Sequence, residues 1–176
     1  SFTIKPVDIT KATVALSKKS YYYNGKARKP KVTVTLGDTT LKQGTDYTIA
    51  YANNVKVGKA TVTIKGIGAY NVSVSKTFAI NPKKLSGLKV KAGKKQLTVS
   101  WKKDSKVGGY EIVYATSKNF KKGKKTVKVT KASIAKKVIK KLKAKKTYYV
   151  KVRAFKKVSG KTYYGTYTSV KKIKVK

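Results

Sequence analysis

Residues 31–36 read Lys-Val-Thr-Val-Thr-Leu, and the same apolar–polar alternation returns in KATVTI (59–64), VSVSKTFAI (72–80), QLTVSW (96–101), YEIVYAT (110–116), KTVKVT (125–130) and YYVKVRAF (148–155). A period of two in runs rich in Val, Ile, Thr and Tyr marks half-buried strands. Between the runs lie YNGKARKP, LGDTT, KQGTD, ANNVKVGK, KGIGAY and KVSGK. Such Gly-, Asn-, Asp- and Pro-bearing stretches turn the chain at short intervals. The pattern leaves an all-β fold of short antiparallel strands.

Composition then narrows the chemistry. Cys, His and Met are absent from the 176 residues. Without Cys or His the usual zinc and transition-metal ligands are missing, and so are the commonest general base and the commonest activated nucleophile pairs. No cofactor is expected, and no run is apolar and long enough to span a membrane. Lys and Arg number 45 against 5 Asp and Glu, for a net charge of +40, and Arg28 and Arg153 are the only arginines. Residues 1–82 carry 13 basic and 3 acidic side chains, whereas residues 83–176 carry 32 and 2. Screening over about 8 Å at physiological salt makes such a charge tolerable, with a repulsive term that grows as salt is removed.

A five-residue word divides the chain. Phe-x-Ile-x-Pro occurs at Phe2–Pro6 and again at Phe78–Pro82. Pro cannot donate to a sheet ladder and stiffens a linker, so it suits the end of one module and the start of the next. Residues 1–6 are therefore read as the tail strand of a preceding, truncated module, residues 7–82 as one small all-β repeat, and residues 83–176 as a second module of a tandem array.

In the second segment LTVSW puts Leu97, Val99 and Trp101 on one strand face, and GYEIVY puts Tyr110, Ile112 and Tyr114 on one face of the next strand. LKAKKTYYVKVRAF then spaces Leu142, Tyr148, Val150, Val152 and Ala154. In this order the residues resemble a fibronectin type III domain over essentially all of 83–176. The resemblance implies a β-sandwich with Trp101, Tyr110 and Leu142 in its core, and Tyr148 as the tyrosine corner whose hydroxyl bonds backwards to backbone. The family's usual Pro two residues after the matched Leu is Ala144 here. The same pattern decides KASIAKKVIKKLKAKK (131–146), whose apolar spacing fits helix or strand: it is read as a loop leading into a strand.

Residues 7–82 are similar to small Ig-like, all-β repeats of Gram-positive gut-bacterial surface proteins. The pieces are Tyr23-x-Gly25, Gly44-x-Asp46-Tyr47, Gly66-x-Gly68-x-Tyr70 and Phe78-x-Ile80. Both resemblances imply secretion and display on a Gram-positive envelope.

No catalytic set emerges. Asp8, Asp38, Asp46, Asp104 and Glu111 are scattered. Asp38 and Asp46 fall in turn contexts, where Asp bonds nearby amides. Glu111 lies between inward Tyr110 and Ile112, so it should face outward and pair across strands with Lys151. Gly66-x-Gly68 lacks the third Gly and the helix of a phosphate loop. An internal Lys–Asn crosslink would need a buried Lys, Asn and acid together, whereas Asn53 and Asn54 lie in a turn. Tyr149, Tyr163, Tyr164 and Tyr21–Tyr23 could stack on a sugar, although strand packing is the commoner use of Tyr.

The largest signal is Lys. The outward positions Tyr149, Lys151 and Arg153 of one strand, Lys172 and Lys174 of the last, and Lys128 of a neighbour make one basic sheet face with a single aromatic. This is the candidate polyanion-binding face; solubility and edge protection are the competing uses of Lys. Near-exclusive use of Lys argues against the bidentate phosphate recognition that favours Arg. The expected function is that of a non-catalytic, monomeric spacer and display element with weak adhesion; a polyanion- or glycan-binding accessory module is the alternative. Partners would be an anionic cell-wall polymer or a host glycan, with nucleic acid bound only non-specifically.

Overall fold

A computed structural model describes residues 6–176, all β apart from one short 3-10 turn. Apart from Pro6, the tail strand read above at residues 1–6 lies outside the described residues. Two compact units divide the chain, the first ending at Ile80 and the second covering Asn81–Lys176.

The first unit strings nine strands: β1 (Val7–Asp8), β2 (Thr13–Leu16), β3 (Ser20–Tyr22), β4 (Val32–Leu36), β5 (Thr39–Thr40), β6 (Tyr47–Ala52), β7 (Gly58–Gly66), β8 (Tyr70–Asn71) and β9 (Ser73–Asn81). They form sheets ordered β2-β4-β5 and β3-β9-β7-β6, plus a parallel pair of β1 with β8. The inward residues of the alternating strands make the core: Val14 and Val34 from one sheet, Tyr47, Val62 and Ile64 from the other, with Ile9 and Leu41 from the connections. Phe78 and Ile80 of the repeated word are buried in a second cluster with Ala60. The turn acids act locally. Asp46 Oδ2 accepts the Lys42 amide at 2.6 Å, and Asp8 caps the 3-10 turn by accepting the Thr10 amide at 2.7 Å.

The second unit has β10 (Lys89–Gly93), β11 (Gln96–Ser100), β12 (Gly109–Ala115), β13 (Lys125–Val129), β14 (Lys136–Ile139), β15 (Thr147–Val158), β16 (Lys161–Tyr164) and β17 (Lys171–Lys174). One sheet is ordered β10-β11-β14 and the other β13-β12-β15-β16, with β17 also on β15. Residues 131–146 are not helical. They contain β14, which pairs with β11 and so fills an edge position inside the stretch read as loop.

Leu97, Val99, Tyr110, Ile112, Tyr114, Val150, Val152 and Ala154 meet between the sheets. Each such aliphatic side chain contributes roughly 1.5–3 kcal/mol on full burial. Trp101 is buried just past the end of β11, with its ring 5.0 Å from that of Tyr110. The Tyr110 hydroxyl donates to the Ala132 carbonyl at 2.8 Å and accepts the Asp104 amide at 2.8 Å, tying two connections to the core. Leu142 and Tyr148 are buried in the same cluster. The Tyr148 hydroxyl accepts the Lys143 amide at 3.2 Å, the backward bond expected of a tyrosine corner.

Candidate functional site

The outer face of the larger sheet is built by register. Glu111 of β12 stands between Lys128 of β13 and Arg153 of β15. Val113 stands between Thr126 and Lys151, and Ala115 faces Tyr149, which in turn faces Lys172. Lys174 lies opposite Thr147. All six sequence-predicted face residues therefore do project on one side of one sheet. Their surroundings divide them. Lys128, Lys172 and Lys174 are exposed, while Tyr149, Lys151 and Arg153 are half-buried.

The cause is a break in the edge next to β15. Between the pairs Phe155–Tyr164 and Tyr149–Lys172, six steps along β15 face eight along β16 and β17. Two extra residues must bulge. Here the ladder is kept by a side chain: the Val152 amide donates to Thr168 Oγ1 at 3.1 Å, while the Thr168 amide donates to the Val152 carbonyl at 2.8 Å. The bulge presents Tyr167 to the sheet face. On the other side of Lys151 the loop 116–122 folds back, with Phe120 at φ 58° and its ring packed on Val113 and Ala115.

Rings and cations then alternate. Lys151 Nζ lies 4.1 Å from the Phe120 centroid and 4.4 Å from that of Tyr167. The Arg153 guanidinium lies 4.4 Å from Tyr167 and 3.8 Å from Tyr164. Each such contact contributes about 0.5–2 kcal/mol, more as water is excluded. Beneath them Glu111 is buried, and its Oε1 accepts from Arg153 Nε at 2.7 Å and the Tyr167 hydroxyl at 2.6 Å, with Arg153 Nη2 at 2.6 Å. Farther along, the Phe155 ring covers Gly109. A Cβ on Gly109 would come within 2.1 Å of the Val129 carbonyl and 2.9 Å of that ring.

Two expectations are corrected. Glu111 pairs with Arg153 rather than Lys151, and it is buried although it points to the outer side. Alternation fixes the face but not the register, and the register sets Lys151 opposite Val113. The face also holds several aromatics rather than one, because Phe120 and Tyr167 arrive from irregular segments that strand periodicity cannot locate. Of the other sugar-stacking candidates, Tyr163 is buried, Tyr164 is under Arg153, and Tyr21 packs edge-on against Phe78 in the first unit.

The electrostatics follow the packing. Burial holds the Lys151 ammonium below its usual range, helped by Lys124 and Arg153. Burial, then the hydrogen bond to Glu111, pushes the Tyr167 phenol up to about 12. Among the described residues the ion pairs are Arg153–Glu111 and Lys83–Asp104, the latter at 3.9 Å. Both acids of the second unit are thus engaged, and apart from Lys83 its exposed lysines have no acidic partner.

Comparison with known proteins bears on the second unit. A family model described as the fibronectin type III domain matches residues 81–169, just over half of the chain. No curated protein sequence matches. Among solved structures, the chain is similar to the FN1–FN3 domains of chicken CNTN1, at 16% identity and TM-score 0.47, covering 97% of this chain and 68% of that one. A myokine structure is 17% identical with TM-score 0.44, covering 54% of this chain and 98% of the other. A computationally redesigned β-sandwich protein is 18% identical with TM-score 0.43, covering 53% and 94%. The sandwich that carries the ring–cation stack therefore has a family as well as a topology, and the chain belongs to the fibronectin type III domain family.

Proposed function

We propose that the chain is a non-catalytic pair of β-modules from a secreted or surface-displayed Gram-positive bacterial protein, serving as spacer and display element with weak electrostatic adhesion. Fibronectin type III domains are generally non-catalytic adhesion or spacer modules. Among the described residues no helix is long and apolar enough to cross a membrane. The order of Tyr23-x-Gly25, Gly44-x-Asp46-Tyr47 and Gly66-x-Gly68-x-Tyr70 supports an Ig-like surface repeat ahead of the fibronectin-like domain.

The observation that carries this reading is how the basic face is used. Its two central cations, Lys151 and Arg153, are engaged by rings and by Glu111, so they hold the domain together rather than wait for a ligand. The exposed lysines around them offer charge without the fork geometry that selects one phosphate pattern. Titration of the whole chain with heparin, duplex DNA and teichoic acid at about 50 and 500 mM NaCl should give weak binding that is lost at high salt and ranks by charge density. Tight binding at the higher salt would replace adhesion with a shaped site. Labelling intact cells of the source organism with an antibody to the chain tests display; signal only after lysis would remove it.

The second reading, a polyanion- or glycan-binding accessory module, is favoured by one observation: three exposed lysines without acidic partners, Lys89, Lys91 and Lys136, flank the central strand on the other sheet of the same sandwich.

A further inference from the structure

The outer face of β10-β11-β14 differs in kind from the face just described. Its rungs follow from the strand registers. Lys89 and Lys136 flank Ser100, Lys91 and Val138 flank Thr98, and Gly93 faces Gln96, whose side chain lies over it. Lys89, Lys91 and Lys136 are exposed and have no acidic partner among the described residues. The outward residues of the central strand, Gln96, Thr98 and Ser100, are half-buried and uncharged, and the hydroxyls of Thr98 and Ser100 take no hydrogen bond within the described residues. Val138 is 37% exposed and adds a small apolar surface beside Thr98.

From this arrangement we infer that the β10-β11-β14 face is a track for a linear anionic glycan, one bearing sulfate, phosphate or carboxylate groups along its length. The inference rests on the polyanion-binding reading and gives it a place and a ligand class. Alternate residues on β10 repeat about every 7 Å, and β10 and β14 lie about 10 Å apart across β11. Ammonium groups on flexible stems at that spacing can follow charges along a sugar chain from both sides. Between the rows, the free hydroxyls and the Gln96 amide meet what a glycan has and a polyphosphate lacks: hydroxyls that need partners when water leaves. A nucleic-acid strand is a poorer fit. It needs aromatic platforms for its bases, and the three strands present none on this face. On the opposite sheet the rings are present but carry Lys151 and Arg153 over them.

The test compares two triple variants of the whole chain with equal loss of charge. Lys89→Gln, Lys91→Gln, Lys136→Gln empties the track. Lys128→Gln, Lys172→Gln, Lys174→Gln empties the exposed part of the larger sheet. Dextran sulfate is the probe, with unsulfated dextran and a single-stranded oligonucleotide of matched charge as comparators, at about 50 mM NaCl. The track triple should weaken dextran sulfate binding about tenfold or more, and the control triple about threefold or less. The log–log salt slope should become shallower for the track triple by about 2, on the scale of about 0.7 per contact for single-stranded polyanions. Acetylation footprinting of the unmodified protein gives a readout that does not depend on the variants folding: bound dextran sulfate should protect Lys89, Lys91 and Lys136 over Lys128 and Lys172. Equal losses from the two triples, or uniform protection, would overturn the track while leaving diffuse adhesion intact. A larger loss from the control triple would overturn it in favour of the opposite sheet. Binding of the oligonucleotide as tight as that of dextran sulfate would overturn the glycan assignment. Failure of the unmodified protein to bind dextran sulfate would overturn the track and the polyanion reading together.

Discussion

The two sheets of the second unit use the same residue type in opposite ways. On β15, Lys151 and Arg153 lie over rings, and Arg153 meets a buried carboxylate. On β10 and β14, Lys89, Lys91 and Lys136 stand in solvent beside small polar residues. Both sets occupy outward positions of alternating strands, and both look alike in sequence. The difference teaches that an outward cation is a surface charge only when nothing from a loop reaches over to cover it. Phe120 and Tyr167 do so on one sheet, and the described structure has no counterpart on the other.

The largest expected contrast is in stability. Arg153→Ala leaves Glu111 buried without its counter-charge and should cost about 3–5 kcal/mol in urea unfolding. Lys89→Ala removes an exposed charge and should stay within about 0.5 kcal/mol. Comparable losses would mean that the two sheets are not different in kind. Tyr167→Phe removes a hydrogen bond to a carboxylate and should cost about 1.5–3 kcal/mol at neutral pH.

The same substitution has a pH signature. The Tyr167 phenol is raised from 10.0 to about 12 in the folded protein. A group raised on folding contributes stability that is complete below its unfolded value and is lost as pH climbs through the folded one. The stability gap between the parent protein and Tyr167→Phe should therefore narrow between pH 10 and 12. The phenolate absorbance titration should lose its component near 12. Lys151 acts in the opposite sense: its lowered ammonium value favours the fold as pH rises towards 10.5. A gap that stays constant to pH 12 would place Tyr167 in water rather than against Glu111.

Smaller again is Lys151→Met, which keeps the packed stem and removes the charge. Attraction to the two rings is offset by burial, so the loss should be about 1 kcal/mol or less. A loss as large as that of Arg153→Ala would show that the rings, not Glu111, dominate the stack. The smallest effect is global: melting temperature should rise by a few degrees between about 10 and 500 mM NaCl as self-repulsion at +40 is screened. A flat or falling series would mean that the exposed lysines repel less than their number suggests.

Much of the architecture was legible in the sequence because alternation is a local property. Leu97, Val99, Tyr110, Ile112, Tyr148 and Val152 were assigned to the core from period two, or from a resemblance carried by those same residues, and all are buried together. The non-helical state of 131–146 followed in the same way. The ring–cation stack was not legible. Its members come from β12, β15, β16, a loop after β12 and a bulge before β17, and no local pattern couples them. Glu111 and Tyr167 are 56 residues apart, and Glu111 and Arg153 are 42 apart. Only register brings them together, and register is decided by the whole sheet.

Consider what a slip of two residues between β12 and β15 would do. Every side chain would keep its face, since alternation survives a shift of two. The core valines and tyrosines would still point inward, and Lys151 would stand where Arg153 does. Hydrophobic burial barely distinguishes these two folds. Glu111 does, because its oxygen needs two donors from one fork and a third from Tyr167, and a single ammonium cannot supply that set. Its worth is then an energy gap between the right pairing and its nearest copy, so that this lysine-strewn strand pair closes one way rather than two.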